Sequence, residues 1–163
     1  MEKLKGKILK LLSEDCRHSP EKIALMLGAD ASQVKAAIEE MEKSGAIVKY
    51  SAILNEDKLS EDRVEALIEV KVTPQKSRGF DAIAEEIYRF PEVKSLFLMS
   101  GGFDFTVVIE GKNLKDVALF VSEKLSAIEN VISTATHFIL KKYKLEGVIV
   151  NGYDSNKRIP FQP

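Results

Sequence analysis

The chain has 163 residues, with the 45% hydrophobic and 30% charged content of an ordinary globular protein. Its 24 basic and 25 acidic residues give a net charge of -1, so no global charge attracts it to nucleic acid or to an anionic membrane. With one cysteine, no signal peptide and no apolar run of about 18 residues, we expect a cytoplasmic protein without disulfides or membrane contact. Two histidines and one cysteine are too few for a transition-metal site, and we expect no cofactor.

Residues 3 to 45 are predicted to form three short helices, because apolar residues recur there every three or four positions. Ser19-Pro20 is typical of a helix start, and Gly28 of a helix end. Asp30, with a glutamine three residues on, has the spacing of a capping box for the third helix, which Gly45 ends. A short turn between two such helices is the signature of a helix-turn-helix unit.

A helix-turn-helix unit presents its second helix to the major groove of DNA, so the exposed side chains of the third helix are candidate base readers. The run after Gly45 is rich in β-branched residues and could pair as a wing beside the helices; the alternative is a plain linker strand. The predicted DNA-binding residues are Ser32, Gln33, Lys35, Ala36, Lys43, Lys49 and Tyr50.

Strand and helix periods alternate in the second half of the chain. A strand is predicted over 64–73, a helix over 80–87, two strands on either side of Gly101-Gly102, a helix capped by Asn113, and a last strand over 131–142. The order βαββαβ is the ferredoxin-like pattern, in which both helices lie on one face of an antiparallel sheet. We therefore predict an α+β protein.

Gly101-Gly102 separates two apolar runs, which is typical of a tight hairpin turn. The bare backbone N–H groups of such a turn could bind an α-carboxylate, and Asp104 two residues on could bind an α-ammonium. Two interpretations stay open at this point: capture of a small amino acid, or an ordinary hairpin beside a solvated aspartate.

The face of the sheet that carries no helix is predicted to be apolar, because Leu96 and Leu98 alternate with Val93 and Phe97. An exposed apolar face usually marks an association surface, so we predict a homodimer formed through the sheets. His137 is expected to pack in this interface, since no acidic partner lies near it in the sequence.

These patterns divide the chain into four segments. They are a winged helix-turn-helix domain over 1–54, a linker over 55–63, a ferredoxin-like domain over 64–142 and a C-terminal extension over 143–163. Within the extension, the short apolar stretch 148–150 could add an edge strand to the sheet.

Two passages resemble the Lrp/AsnC family of feast/famine regulators. Ser32 to Ile47 is similar to the recognition helix of that family and its closing Gly-x-Ile, and Gly101-Gly102-Phe103-Asp104-Phe105, followed by Thr134-Ala135-Thr136, is similar to its Gly-x-(Tyr/Phe)-Asp hairpin and Thr-x-Thr strand. The resemblance covers about residues 3 to 142. It implies a winged helix-turn-helix domain followed by a ferredoxin-like effector domain, the RAM domain.

The resemblance also implies partners: double-stranded DNA, further copies of the chain in homodimers that can close into octamers, and an amino acid bound at the hairpin between subunits. The effector residues that it implies are Ser100, Gly101, Gly102, Asp104, Thr134 and Thr136. Family members often carry arginines midway along the recognition helix, where this chain has Ala37 and Glu40. Glu39 and Glu42 add further negative charge, which phosphates repel.

The leading hypothesis is a ligand-responsive DNA-binding regulator without catalytic residues. One alternative is a small-molecule sensor that keeps the helix-turn-helix only as a scaffold, which the acidic third helix favours. The other is an enzyme of the same two-domain layout that acts on tetrapyrrole carboxylates, and general acid–base work there would need His or Arg side chains in a cleft.

Overall fold

The computed structural model describes residues 2–59, 63–74 and 79–150. The chain divides into two compact units, residues 1–54 and 55–163, and each has its own cluster of buried apolar side chains. In the ranges described, no helix is long and apolar enough to cross a membrane.

The N-terminal unit contains the three predicted helices: α1 (Glu2–Glu14), α2 (Pro20–Leu27) and α3 (Ala31–Lys43). The Ser19 side chain accepts the N–H of Lys22 at the start of α2, and Gly28 ends that helix in the left-handed conformation at φ 62°. Both signals act as the sequence predicts. The helices pack around one apolar cluster whose buried members are Ile8, Ile23, Ala24, Val34, Ala37, Ile38 and Met41.

The predicted wing strand is wrong, because residues 46–54 form no strand. No second strand exists within residues 2–54 to pair with this run, and a lone strand leaves its backbone hydrogen-bonding groups unpaired. The segment is held against the helices by packing and hydrogen bonds instead. Ile47 packs against the helical cluster and donates its N–H to the carbonyl of Met41 at 3.0 Å, and the Tyr50 hydroxyl donates to Glu42 at 3.0 Å.

The C-terminal unit has the predicted βαββαβ order, and its four long strands form an antiparallel sheet in the order β2-β3-β1-β4. Its elements are β1 (Val64–Val72), α4 (Asp81–Tyr88), β2 (Val93–Leu98), β3 (Phe105–Gly111), α5 (Leu114–Leu119) and β4 (Val131–Phe138). Both helices pack on one face of this sheet, around a core centred on Ile68, Val107 and Phe105. The ferredoxin-like prediction is confirmed.

A π-helical turn over Phe120–Leu125 continues α5. Leu114, at the start of α5 and ahead of this turn, is 58% exposed. The N–H of Ser126 donates to the carbonyl of Val121 at the end of this turn, and Phe120 and Leu125 are buried in the core.

The uncovered face of the sheet is more polar than the sequence suggests. Residues directly opposite one another in paired strands share a face, so Leu96 opposite Val107 lies on the helix side, while Phe97 opposite Thr106 lies on the uncovered side. Phe97, 53% exposed, therefore shares the uncovered face with Glu69. The prediction of one continuous apolar face is wrong, because that face mixes apolar and charged residues.

The predicted edge strand near residue 148 instead forms its own hairpin. Strands β5 (Lys144–Leu145) and β6 (Val148–Ile149) pair with each other, through a turn in which Glu146 and Gly147 have φ 47° and 82°. Two consecutive positive φ values are typical of a type I′ hairpin turn. The remainder of the predicted extension, residues 151–163, lies outside the described residues.

The segment after residue 54 is fastened to the C-terminal unit. The Asn55 amide donates to the carbonyl of Val150 at 3.1 Å, and the Lys142 ammonium donates to Glu56 at 2.8 Å and contacts Glu65. Burial alone would lower the pKa of Lys142, but the hydrogen bonds to the two glutamates outweigh it and raise that pKa.

Candidate functional site

The β2–β3 hairpin carries most of the predicted effector residues. The N–H of Met99 donates to the carbonyl of Asp104 at 2.7 Å, which leaves four residues, 100–103, in the loop. The predicted hairpin at Gly101-Gly102 is confirmed, although neither glycine has a positive φ. Both glycines are exposed, and a Cβ built on either would meet no atom within 4 Å. The space beside the two glycines is therefore empty of protein atoms.

Asp104 has a structural partner that the sequence does not reveal. Its Oδ2 accepts the N–H of Val72 at 2.8 Å, and its own N–H donates to the carbonyl of Val70 at 3.0 Å. The carboxylate therefore continues the hydrogen bonding between β1 and β3 past the last paired residues, and it is held half-buried at the base of the exposed loop. A solvated aspartate, the ordinary-hairpin interpretation, does not describe it.

Thr134 and Thr136 lie on β4, opposite Val70 and Ile68 of β1. Strand β1 therefore separates them from β3, and two inter-strand spacings put Thr134 about 10 Å from the start of β3. Within one chain the structure does not bring these threonines against Asp104.

The predicted base readers are all accessible. Ser32, Gln33, Lys35 and Ala36 are exposed on α3. The Asp30 carboxylate caps this helix by accepting the N–H groups of Ser32 and Gln33, and it also accepts the Ser32 hydroxyl. The Ser32 hydroxyl, followed by the two backbone N–H groups, lowers the pKa of Asp30, so the cap is ionised near neutral pH.

The remaining predicted DNA-binding residues differ in their surroundings. Lys43 and Lys49 are exposed, whereas the Tyr50 hydroxyl is engaged by Glu42. Partial burial, and then the bond to Glu42, raise the pKa of Tyr50. Tyr50 is therefore a support for the segment after α3 as well as a candidate phosphate contact.

Two of the three acidic residues on α3 have partners within the N-terminal unit. Glu40 forms an ion pair with Lys5 of α1 at 2.7 Å, and Glu42 accepts the Tyr50 hydroxyl. Glu39 is exposed and has no ion pair or hydrogen bond with a described residue. The positive charge of Lys5 thus balances the negative charge of Glu40 on the helix that would face DNA. Sequence reasoning did not single out Lys5.

His137 also has a partner that sequence reasoning missed. Its Nε2 lies 3.3 Å from Glu69 Oε1, on the uncovered face of the sheet. Residue 69 is far away along the chain, and only the pairing of β1 with β4 brings the two together. Elsewhere in the described ranges, no cluster of three His, Cys, Asp or Glu side chains could hold a metal ion.

A cavity of about 730 Å³ lies at the other end of the sheet from the hairpin. Its walls include Ile109 and Gly111 at the end of β3, Phe120 directly after α5, and the charged side chains of Glu92 and Glu110. The hydrogen bond from Lys124 lowers the pKa of Glu92 despite partial burial. None of the predicted effector residues lines this cavity.

Comparison with known proteins agrees with both units. Residues 65–149 match the family described as Lrp/AsnC ligand binding domain, and residues 1–48 match the family described as winged helix-turn-helix DNA-binding. The HTH-type transcriptional regulator YugG of Bacillus subtilis (strain 168) is 48% identical over 157 residues, which cover 96% of this chain and 95% of that protein.

Two solved structures show the same fold. Transcriptional regulator NMB0573 of Neisseria meningitidis, solved as a complex with L-Met, has a TM-score of 0.70 at 24% identity and covers 89% of this chain and 93% of its own. AsnC of Escherichia coli has a TM-score of 0.68 at 17% identity and covers 89% of this chain and 95% of its own.

The relatives and both matched families are transcriptional regulators, so the alternative of a tetrapyrrole enzyme is set aside. Both matched families, their order along the chain and the close relative in B. subtilis agree with the fold of the two units. The chain belongs to the Lrp/AsnC family of DNA-binding transcriptional regulators.

Proposed function

We propose that this protein is a ligand-responsive regulator that binds an amino acid or a similar small metabolite at the β2–β3 hairpin, where subunits meet. The observation that carries the proposal is the geometry of Asp104. The N–H of Val72 fixes the carboxylate at the base of a loop with two exposed glycines, where its charge can meet an α-ammonium group. The backbone N–H groups of the loop are then available to the α-carboxylate.

A transcriptional regulator of the same fold supports the ligand class. The Neisseria meningitidis regulator was solved with L-Met, and its fold matches this chain over 89% of its length. Thr134 and Thr136 would enter such a site from a neighbouring subunit, since β1 separates them from Asp104 within one chain.

The homodimer is part of the proposal. The uncovered face of the sheet carries Phe97 together with the Glu69–His137 pair, a mixture typical of interfaces with an apolar centre and polar groups. Dimers that assemble further, to octamers, would bring hairpins of neighbouring subunits together. We assign the protein to the cytoplasm, where a regulator of this kind meets DNA.

DNA binding is assigned to the exposed face of α3, with Ser32, Gln33, Lys35 and Ala36 at the major groove and Lys43 and Lys49 toward phosphates. An amino acid at the hairpin would change how dimers assemble and hence how the α3 helices align with half-sites. Such coupling is reciprocal, so operator DNA must change the affinity for the effector by the same factor.

A thermal-shift screen of amino acids, starting with L-Met, tests the ligand site. A ligand at 100 times its Kd stabilises the folded state by about 2.7 kcal/mol. We expect Asp104→Asn to abolish the shift while the protein stays folded. An undiminished shift in Asp104→Asn would refute the site, and a flat DNA titration at low salt would favour a sensor with a scaffold-only helix-turn-helix.

A further inference from the structure

We infer that Glu39 is a specificity-determining residue of the DNA-binding face, an acceptor that reads the exposed amino group of a cytosine. The inference rests on the proposed DNA binding through α3 and names the base chemistry that this helix would recognise.

The position of Glu39 follows from the buried face of α3. That face is formed by Val34, Ala37, Ile38 and Met41. At about 100° of rotation per residue, the side chains that point within about 30° of the opposite direction are Ser32, Ala36, Glu39 and Lys43. Glu39 therefore belongs to the outward stripe, about 30° from its axis.

The contacts of the neighbouring glutamates set Glu39 apart. Glu40 is bound to Lys5 at 2.7 Å and Glu42 accepts the Tyr50 hydroxyl at 3.0 Å, so both are turned toward their own unit. Glu39 has no such partner among residues 2–54. An exposed carboxylate on the outward stripe would lower the affinity for DNA, because phosphates repel it. A hydrogen bond donated by a base to that carboxylate would offset the repulsion.

The major groove offers that donor. Cytosine presents its N4 amino group there, and glutamate is a matching acceptor; the methyl group of thymine suits alanine. Ser32 to Glu39 spans about 10 Å along the helix axis, the length of about three base-pair steps. The outward stripe thus favours a half-site in which Ala36 lies near a thymine and Glu39 near a cytosine.

The test is a binding selection with the full-length protein on randomised duplexes, followed by affinity measurements on the selected duplex and its single-base variants. We expect Glu39→Ala to weaken binding to the selected duplex and to lose discrimination of about 5- to 150-fold at one base pair. The same variant should bind an unrelated duplex as well as wild type or better, because a charge that repels phosphates is gone. Glu39→Gln should shift the preference at that base pair from cytosine toward adenine.

Glu40→Gln is the matched control, since it removes the same charge from the neighbouring residue, which Lys5 already engages. We expect it to leave the base preference unchanged. Tighter binding of every duplex by Glu39→Ala, with an unaltered base preference, would overturn the inference and leave Glu39 as a phosphate-repelling charge only. Failure of the wild-type protein to enrich any sequence would refute the proposed DNA binding itself.

Discussion

Replacing Asp104 separates its structural contribution from its ligand-binding role. Alanine removes the oxygen that accepts the N–H of Val72 at 2.8 Å in a partly buried position. Leaving a buried donor without its partner costs about 1–3 kcal/mol. Asparagine keeps an acceptor oxygen but not the charge, and the difference between charged and neutral hydrogen bonds is about 1 kcal/mol. We therefore expect Asp104→Ala to destabilise the C-terminal unit more than Asp104→Asn.

Urea unfolding of the full-length variants, followed by far-UV circular dichroism, measures the free energy of unfolding. Amide exchange at Val72 assigns the change, because this N–H should exchange faster in Asp104→Ala than in Asp104→Asn. In a melt, a loss of 1 kcal/mol would lower the Tm of a unit of this size by about 4–8 °C. Equal stability of Asp104→Ala and the wild type, within about 0.5 kcal/mol, would refute the structural role of the carboxylate.

Three further predictions concern other parts of the chain. Lys49→Ala should lower the slope of log affinity against log salt by about 0.9 for each phosphate that the protein no longer neutralises, with base preference unchanged, and an identical slope would show that Lys49 does not bind a phosphate. The pKa of Asp30 is lowered in the folded state by the Ser32 hydroxyl and two backbone N–H groups, so its contribution to stability is present above the unfolded pKa and is lost as pH falls through the folded one. Asp30→Asn, which keeps a cap acceptor, should therefore flatten the loss of helical circular dichroism below about pH 4, and an unchanged acid titration would contradict this. Gly111→Ala places a Cβ 3.0 Å from a methyl carbon of the buried Val117 and should lower the free energy of unfolding by about 1–3 kcal/mol. An unchanged Tm would show that α5 moves aside to accommodate the added methyl group.

The sequence predicts the parts of this fold that depend on near neighbours. Ser19, Gly28 and Asp30 mark helix ends through contacts within a few residues, and each does so in the structure. The βαββαβ order likewise follows from local periodicity. The π-helical turn at Phe120 is not predicted, because no Gly or Pro marks it in the sequence.

Contacts between distant residues account for the other differences. The wing strand fails because its β-rich composition finds no second strand, and composition does not show whether a partner exists. Asp104 is singled out by the sequence for ligand chemistry, yet its bond to Val72 depends on the register of β1 and β3. His137 and Glu69 meet only through the pairing of β1 with β4, as Lys5 and Glu40 meet only through helix packing. The α3 residues and the hairpin can be proposed from the sequence because each motif is contiguous in the chain.

Two sets of contacts determine where a fragment of the C-terminal unit should begin. Lys142 forms ion pairs with Glu56 and Glu65, and the Asn55 amide donates a hydrogen bond to the carbonyl of Val150. A fragment that starts at Val64 would contain every strand of the large sheet but would lose Glu56 and the amide of Asn55. Such a fragment would leave the ammonium of Lys142 with fewer partners and the β5–β6 hairpin without its tether. A ligand-binding half prepared for isolated biophysical work should therefore begin at Asn55.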